Sequence, residues 1–323
     1  MSRDRRTPLG PSEDAGDTSD ESFDSFMREA AQISEPAASE VPAAAPLRAG
    51  EIVGGRFKVE RAAGRGGMGA VYRAEETATG QFVAIKVVAR ETRSFAERFL
   101  REAVVLAELS HPCIVRYVAH GMTPHGQPFL AMDWLEGEDL AERLARGVLG
   151  IEESFALVRR ASEGLARAHA IGVVHRDLKP SNLFLVGGQA TSVKVIDFGV
   201  ARVDGGSTAL TRPGSSLGTV GYMAPEQATE AADVDARADV YALGCVLFEC
   251  MTGRTPFTGR PTAQLVKLLA QVPPAPSSLR PGIAPAVDAL VARLLAKNRD
   301  ERPRDAAELL EAIDALGLTL PGP

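Results

Sequence analysis

The segment Val173-Val174-His175-Arg176-Asp177-Leu178-Lys179-Pro180-Ser181-Asn182-Leu183 brings a carboxylate, an ammonium and an amide close together in the chain. A carboxylate at Asp177 can accept a hydrogen bond from an attacking hydroxyl, and Lys179 can stabilise charge on a moving phosphoryl group. Asn182, five residues after Asp177, offers an amide oxygen of the kind that hard cations take. Fifteen residues further on, the apolar run Val193-Lys194-Val195-Ile196 ends in Asp197, followed by Phe198 and Gly199. An acidic residue at the end of a strand is a suitable main metal ligand. His175 reads as a packed structural imidazole and Phe198 as a packing residue.

A second set lies upstream. Gly64-Arg65-Gly66-Gly67-Met68-Gly69 fits G-x-G-x-x-G, a spacing that lets backbone amides approach phosphate oxygens without intervening side chains. Alone it also fits a dinucleotide-binding turn or a flexible surface loop. A dinucleotide fold needs a helix next, whereas AVYRAEE, the turn at Thr79-Gly80 and FVAIKVV read as a hairpin. Seventeen residues after Gly69, Lys86 sits on this apolar strand beneath the glycines, where a cation can hold two phosphates. Glu102 follows among Phe99, Ala103 and Leu106, on the core side of an amphipathic pattern. A buried carboxylate needs a charged partner, and Lys86 is the candidate.

The elements that must carry these groups follow from hydrophobic periodicity. From Arg56, FKVERAA, AVYRAEE and FVAIKVV predict three antiparallel strands. Phe95, Phe99, Ala103, Leu106 and Leu109 predict a helix ending near Ser110-His111-Pro112. CIVRYVAH and PFLAMDWL complete a small, mostly β lobe. Beyond Gly137 the chain reads as mainly helical, near 151–171, 237–252, 285–296 and 305–316. The predicted class is α+β, with a sheet-rich lobe followed by a larger helical one.

In order along the chain, the glycine loop ending in Val71, Ala84-Ile85-Lys86, His175-Arg176-Asp177, Asp197-Phe198-Gly199 and Ala224-Pro225-Glu226 resemble the marks of the serine/threonine protein kinase family. The resemblance runs from about Arg56 to Leu316. It implies a bilobal kinase fold over 51–316, with the small lobe at about 51–135 and the large lobe at about 136–316, between a tail at 1–50 and a short one at 317–323. It also implies ATP as substrate and a magnesium ion, or manganese, held by Asn182 and Asp197. Asp177 would be the catalytic base, assisted by Lys179, with Lys86 on the α/β-phosphates and paired to Glu102. The nucleotide would touch Gly64, Arg65, Gly66, Gly67, Met68, Gly69, Val71 and Ala84, and backbone groups of Asp133 and Leu135 would bind adenine. Lys179, and Thr219 ahead of Ala-Pro-Glu, resemble kinases that phosphorylate aliphatic hydroxyls of protein substrates. Gly-Gly-Met-Gly, Val-Tyr-Arg-Ala and Gln227 resemble the bacterial branch.

The same resemblance makes Arg176 a phosphate partner for a loop carrying Thr208, Thr211, Ser215 and Ser216, the expected autophosphorylation candidates; self-association would serve that step. Thr219 would form the substrate platform. Asp239 would anchor the catalytic loop and Arg302 would pair with Glu226, both structural roles. Two other readings stay open here: a pseudokinase scaffold, and a small-molecule phosphotransferase of similar fold. The complete set Lys86, Glu102, Asp177, Asn182 and Asp197 argues against the first, and the segment from Thr219 to Glu226 against the second.

Bulk properties agree. The 323 residues carry 36 Lys/Arg against 42 Asp/Glu and 45% apolar residues, enough for a substantial core and without a basic stripe for nucleic acid. The first 50 residues hold five basic and ten acidic groups and almost no core-forming residues, so disorder is expected there. Phe23, Phe26, Met27 and Ile33 could form a short docking helix within that tail. Three cysteines without metal spacing, no secretion signal and no long apolar run predict a cytoplasmic protein without a membrane span. Many bacterial relatives carry a membrane span and an outer sensor after the kinase, so an input from elsewhere is expected.

Overall fold

A computed structural model of the chain describes residues 46–66, 69–88, 103, 106–198, 219–229 and 233–322. The first lobe is a six-stranded antiparallel sheet of β1 (Ile52–Val53), β2 (Phe57–Gly66), β3 (Gly69–Glu76), β4 (Phe82–Val88), β5 (Tyr117–Met122) and β6 (Pro128–Asp133), in the order β1-β2-β3-β4-β6-β5. Alternation explains its two faces. In β4, Val83, Ile85 and Val87 are buried while Ala84 and Lys86 are half-buried, as a period of two requires. The buried side packs Phe57, Val59, Tyr72, Ala74 and Ile85 against Phe129 and Ala131, joined by Leu47 from the segment before β1. Val88, Ala103, Leu130 and Met132 form a second cluster. The predicted helix around Phe95–Leu109 lies largely outside the described residues; within it Ala103, Leu106 and Ala107 are helical and Ala103 is fully buried.

The second lobe begins with β7 (Gly137–Asp139) and α1 (Leu140–Leu144), followed by α2 (Ile151–His169), β8 (Leu183–Val186) and β9 (Val193–Val195). Then come α3 (Pro225–Ala228), α4 (Arg237–Thr252), α5 (Pro261–Ala270), α6 (Pro285–Leu294) and α7 (Ala306–Asp314). Helix α4 is apolar all round, with Ala238 through Phe248 buried, so it forms the core against which the other helices pack. It stops at Gly253, whose φ of 77° supplies the left-handed cap, its N–H donating to Glu249 O at 2.8 Å. Helix α7 starts at Asp305, which accepts from the Glu308 N–H at 3.0 Å.

The four long predicted helices are present with slightly different ends. Strand β1, helices α1 and α5 and the short strands β7 and β8 were not anticipated, whereas β9 falls in the apolar strand expected to end at Asp197. Strands of three or four residues hold too few alternations to register as a period. Among the described residues no helix is long and apolar enough to cross a membrane.

Candidate active site

The small sheet β7-β8-β9 positions the two residues that the sequence named for a metal. Leu183 opposes Val195 in its register, so Asn182 and Ile196 are adjacent, with the Ile196 N–H donating to Asn182 O at 3.0 Å. Asp197 therefore emerges beside Asn182. Strand β9 is also tied to the segment before β5: Val195 donates to Cys113 O at 2.7 Å and accepts from the Val115 N–H at 3.0 Å. Lys194 Nζ adds a bond to Pro112 O at 2.8 Å.

Lys86 reaches Asp197 from the other lobe. It is the register partner of Val71 on β3 and Leu130 on β6, and its Nζ lies 2.8 Å from Asp197 Oδ2. The sequence had paired Lys86 with Glu102, which lies outside the described residues; the ion pair seen is with Asp197. Next to it, Lys179 Nζ is 3.0 Å from Asp177 Oδ2 and Asn182 Nδ2 donates to Asp177 O at 2.7 Å. That bond uses the nitrogen end of the Asn182 amide, and its oxygen is the end a cation would take.

Two non-glycine residues here are left-handed: Arg176 with φ 63° and Asp197 with φ 57°. Such backbone costs about 1–3 kcal/mol per residue and persists only where surroundings fix it. The fixing groups are explicit. Asp239, buried at the start of α4, accepts the His175 N–H at 2.7 Å and the Arg176 N–H at 2.8 Å. His169 Nε2 donates to the same carboxylate at 2.9 Å, while its Nδ1 accepts from the Ala306 N–H. Burial acts to raise the Asp239 carboxyl, but hydrogen bonding and charge from His169 and His175 bring it below the usual range. On the other side, Gln227 Nε2 donates to Arg176 O at 2.8 Å. His175, fully buried, donates from Nε2 to Ile196 O at 2.9 Å and accepts the Asp177 N–H on Nδ1. It thus links the Asp177 loop to the approach to Asp197, and the Phe198 ring packs 4.9 Å from it.

A second buried ion pair holds the downstream segment. Arg302, its side chain wholly buried, makes a two-pronged contact with Glu226 at 2.7 and 3.0 Å. Its remaining donors reach the carbonyls of Ala296, Arg237 and Lys297, so the fork is fully satisfied. Tyr222 donates to Glu249 at 2.5 Å; burial raises the Glu249 carboxyl and this bond partly offsets the rise.

In the hinge, the N–H groups of Asp133 and Trp134 donate to Arg116 O and Phe82 O at 2.9 and 3.3 Å. Backbone groups of Asp133 and Leu135 are those the sequence named for a base, and the Asp133 N–H is already taken by Arg116 O. At the glycine hairpin Gly69 has φ 146°, and a Cβ there would stand 2.0 Å from Val87 O. Only glycine fits. Gly67, Met68, Thr208, Thr211, Ser215 and Ser216 lie outside the described residues, as do the side chains of Arg65 and Thr219. His169, Gln227, Lys194 and Tyr222 were not read as positioning groups. Gln227 alone had a local signal, at the third position of a helix opened by Pro225.

Comparison with known proteins fits this geometry. Residues 57–312 match the model of the protein kinase domain family. A probable serine/threonine-protein kinase of Streptomyces coelicolor is 38% identical over 81% of this chain and 40% of its own length. Serine/threonine-protein kinase Pkn1 of Myxococcus xanthus is 39% identical over 80% of this chain and 38% of its own. For PknE of Mycobacterium tuberculosis the values are 38%, 81% and 46%. The chain thus spans less than half the length of these curated relatives. The solved kinase domain of Mycobacterium tuberculosis PknI superposes with a TM-score of 0.67 at 30% identity, covering 84% of this chain and 100% of that one. With Lys86 of the β lobe paired to Asp197 beside Asn182 of the helical lobe, the chain belongs to the protein kinase domain family, in its bacterial serine/threonine branch.

Proposed function

We propose that this domain transfers the γ-phosphate of ATP to serine or threonine hydroxyls of proteins. The observation that carries the reading is the convergence of Asp177, Lys179 and Asn182 from one loop with the Lys86–Asp197 pair across the cleft. Asp177 orients the acceptor hydroxyl and takes its proton as the new O–P bond forms. Lys179, 3.0 Å from that carboxylate, offsets charge on the phosphoryl oxygens. Lys86 holds the α/β-phosphates from the floor of the sheet, and the backbone of Gly64, Gly66 and Gly69 covers them. Asn182 and Asp197 supply hard oxygen donors suited to magnesium or manganese. Such a cation, when bound, neutralises the phosphate oxygens and aligns them for in-line transfer. Adenine lies against the main chain of Asp133 and Leu135.

The choice of a protein serine or threonine is supported by Lys179, by the segment from Thr219 to Glu226, and by relatives named as serine/threonine kinases. Autophosphorylation at Thr208, Thr211, Ser215 or Ser216, between copies of the chain, would place a phosphate opposite Arg176. Three free, buried cysteines suit a reducing compartment rich in ATP, and the cytoplasm is the proposed site of action.

The test is purified protein with labelled ATP and magnesium. Wild type labels itself or a protein substrate on serine or threonine, and Asp177→Asn loses roughly 100-fold or more of the rate. Equal transfer by both proteins, or by neither, would contradict the assignment.

A further inference from the structure

Trp134 is the chain's only tryptophan, and it stands in the hinge directly after β6. Guanidinium groups from two strands lie over its ring: Arg61 of β2 at 5.6 Å and Arg73 of β3 at 5.5 Å from the ring centre. Arg73 also lies 3.4 Å over the ring of Phe82, the first residue of β4. Contacts of rings with cations thus link Phe82, Arg73, Trp134 and Arg61, drawing three strands and the hinge into one cluster, the stack. The main chain joins in, since the Trp134 N–H donates to Phe82 O. Carboxylates balance the charge: Arg73 pairs with Glu60, and the indole N–H donates to Glu136 at 2.7 Å. Arg73 is 17% exposed, and its Nε is buried without a hydrogen-bond acceptor among the described residues. Beside its ion pair with Glu60, the contacts with the two aromatic rings compensate the guanidinium.

Position gives this stack a consequence. Arg61 and Arg73 oppose each other in the β2–β3 register. Arg61 precedes Gly64 by three residues, and Arg73 follows Gly69 by four, about 10–13 Å along an extended chain. Two register shifts in β2 bracket Arg61, so the strand is irregular between the stack and the glycines, and pairing alone fixes its path less tightly.

We propose that the Arg61–Trp134–Arg73 stack is a positioning strut that ties the glycine hairpin to the hinge and sets the gap a nucleotide enters. The proposal rests on the reading that adenine lies against Asp133 and Leu135. None of the three side chains meets the reacting atoms, so the strut governs nucleotide affinity and leaves the transfer step alone.

Steady-state kinetics, calorimetry with magnesium-ADP and tryptophan fluorescence test it together. Trp134→Ala and Arg61→Ala each raise the KM for ATP and the Kd for magnesium-ADP about five- to tenfold. At saturating ATP kcat stays within about twofold, and Trp134→Phe restores most of the affinity. In wild type the Trp134 emission changes on titration with magnesium-ADP, and Arg61→Ala shifts that emission before nucleotide is added. Failure of wild type to bind magnesium-ADP would overturn the adenine-site reading. Normal binding in wild type, with an unchanged Kd in Trp134→Ala and Arg61→Ala, would overturn the strut alone. A joint fall in kcat and melting temperature that Trp134→Phe does not rescue would also overturn it, because the residue would then be filling space only.

Discussion

At the scale of the residue, burial decides which charged groups are irreplaceable. Arg302 and Glu226 are both withdrawn from water, with side chains 0% and 9% exposed, and each is the other's main neutralising partner. Removing one leaves the other charged in a low dielectric, which is far more costly than removing both. Arg302→Met is therefore expected to cost roughly 3–5 kcal/mol of folding stability, whereas the double variant Arg302→Met with Glu226→Leu recovers a large part of it. Urea denaturation of the three proteins measures this. A double variant no better than the single one would show that the carbonyl contacts of Arg302, and not the ion pair, carry the effect.

Between β2 and β3 the same logic acts at the scale of the element, through backbone in place of charge. Gly69 lies where any Cβ would run into the Val87 carbonyl, whereas a Cβ on Gly64 would meet nothing within 4 Å. Gly69→Ala must displace the hairpin from β4, and the expected result is a roughly 10- to 100-fold loss in kcat/KM for ATP. Gly64→Ala leaves the hairpin in place, so any loss there reports close approach of the nucleotide itself. Equal effects of the two substitutions on melting temperature would contradict this distinction. Element structure also explains what the sequence missed. Strands β7 and β8, which pair with the anticipated β9, have three and four residues, too few for a periodic signal. Yet the register of β8 on β9 is what sets Asn182 beside Asp197.

Over the whole molecule, one lysine links packing to pH. Lys297 lies 4.2 Å from the centre of the Phe257 ring, and its Nζ is buried without a hydrogen-bond acceptor among the described residues. Burial lowers its pKa from 10.5 to about 8. Between those two values the unfolded chain holds a proton that the folded protein has released, so folding stability rises with pH in that window. Relative to Lys297→Met, wild type should gain stability from about pH 8 to pH 10.5, and the difference should flatten at either side. Urea denaturation at a series of pH values measures it. A flat difference across the window would mean that the ammonium stays hydrated in the folded protein.

Motif spacing alone made several features legible. The glycine loop, Lys86, Asp177, Lys179, Asn182 and Asp197 stand at intervals that phosphate and cation chemistry requires, and strand and long-helix patterns showed a β lobe followed by a helical one. Those features are local: alternation, helical period and fixed spacing are written within a few turns of chain. Tertiary structure decided the rest. It gave Lys86 an ion pair with Asp197, let Asp239 and Gln227 hold the N–H and the carbonyl of left-handed Arg176, and brought Trp134 against arginines of two strands. Each of these joins residues far apart in sequence, and such contacts depend on how sheet and helices pack, which no local pattern encodes.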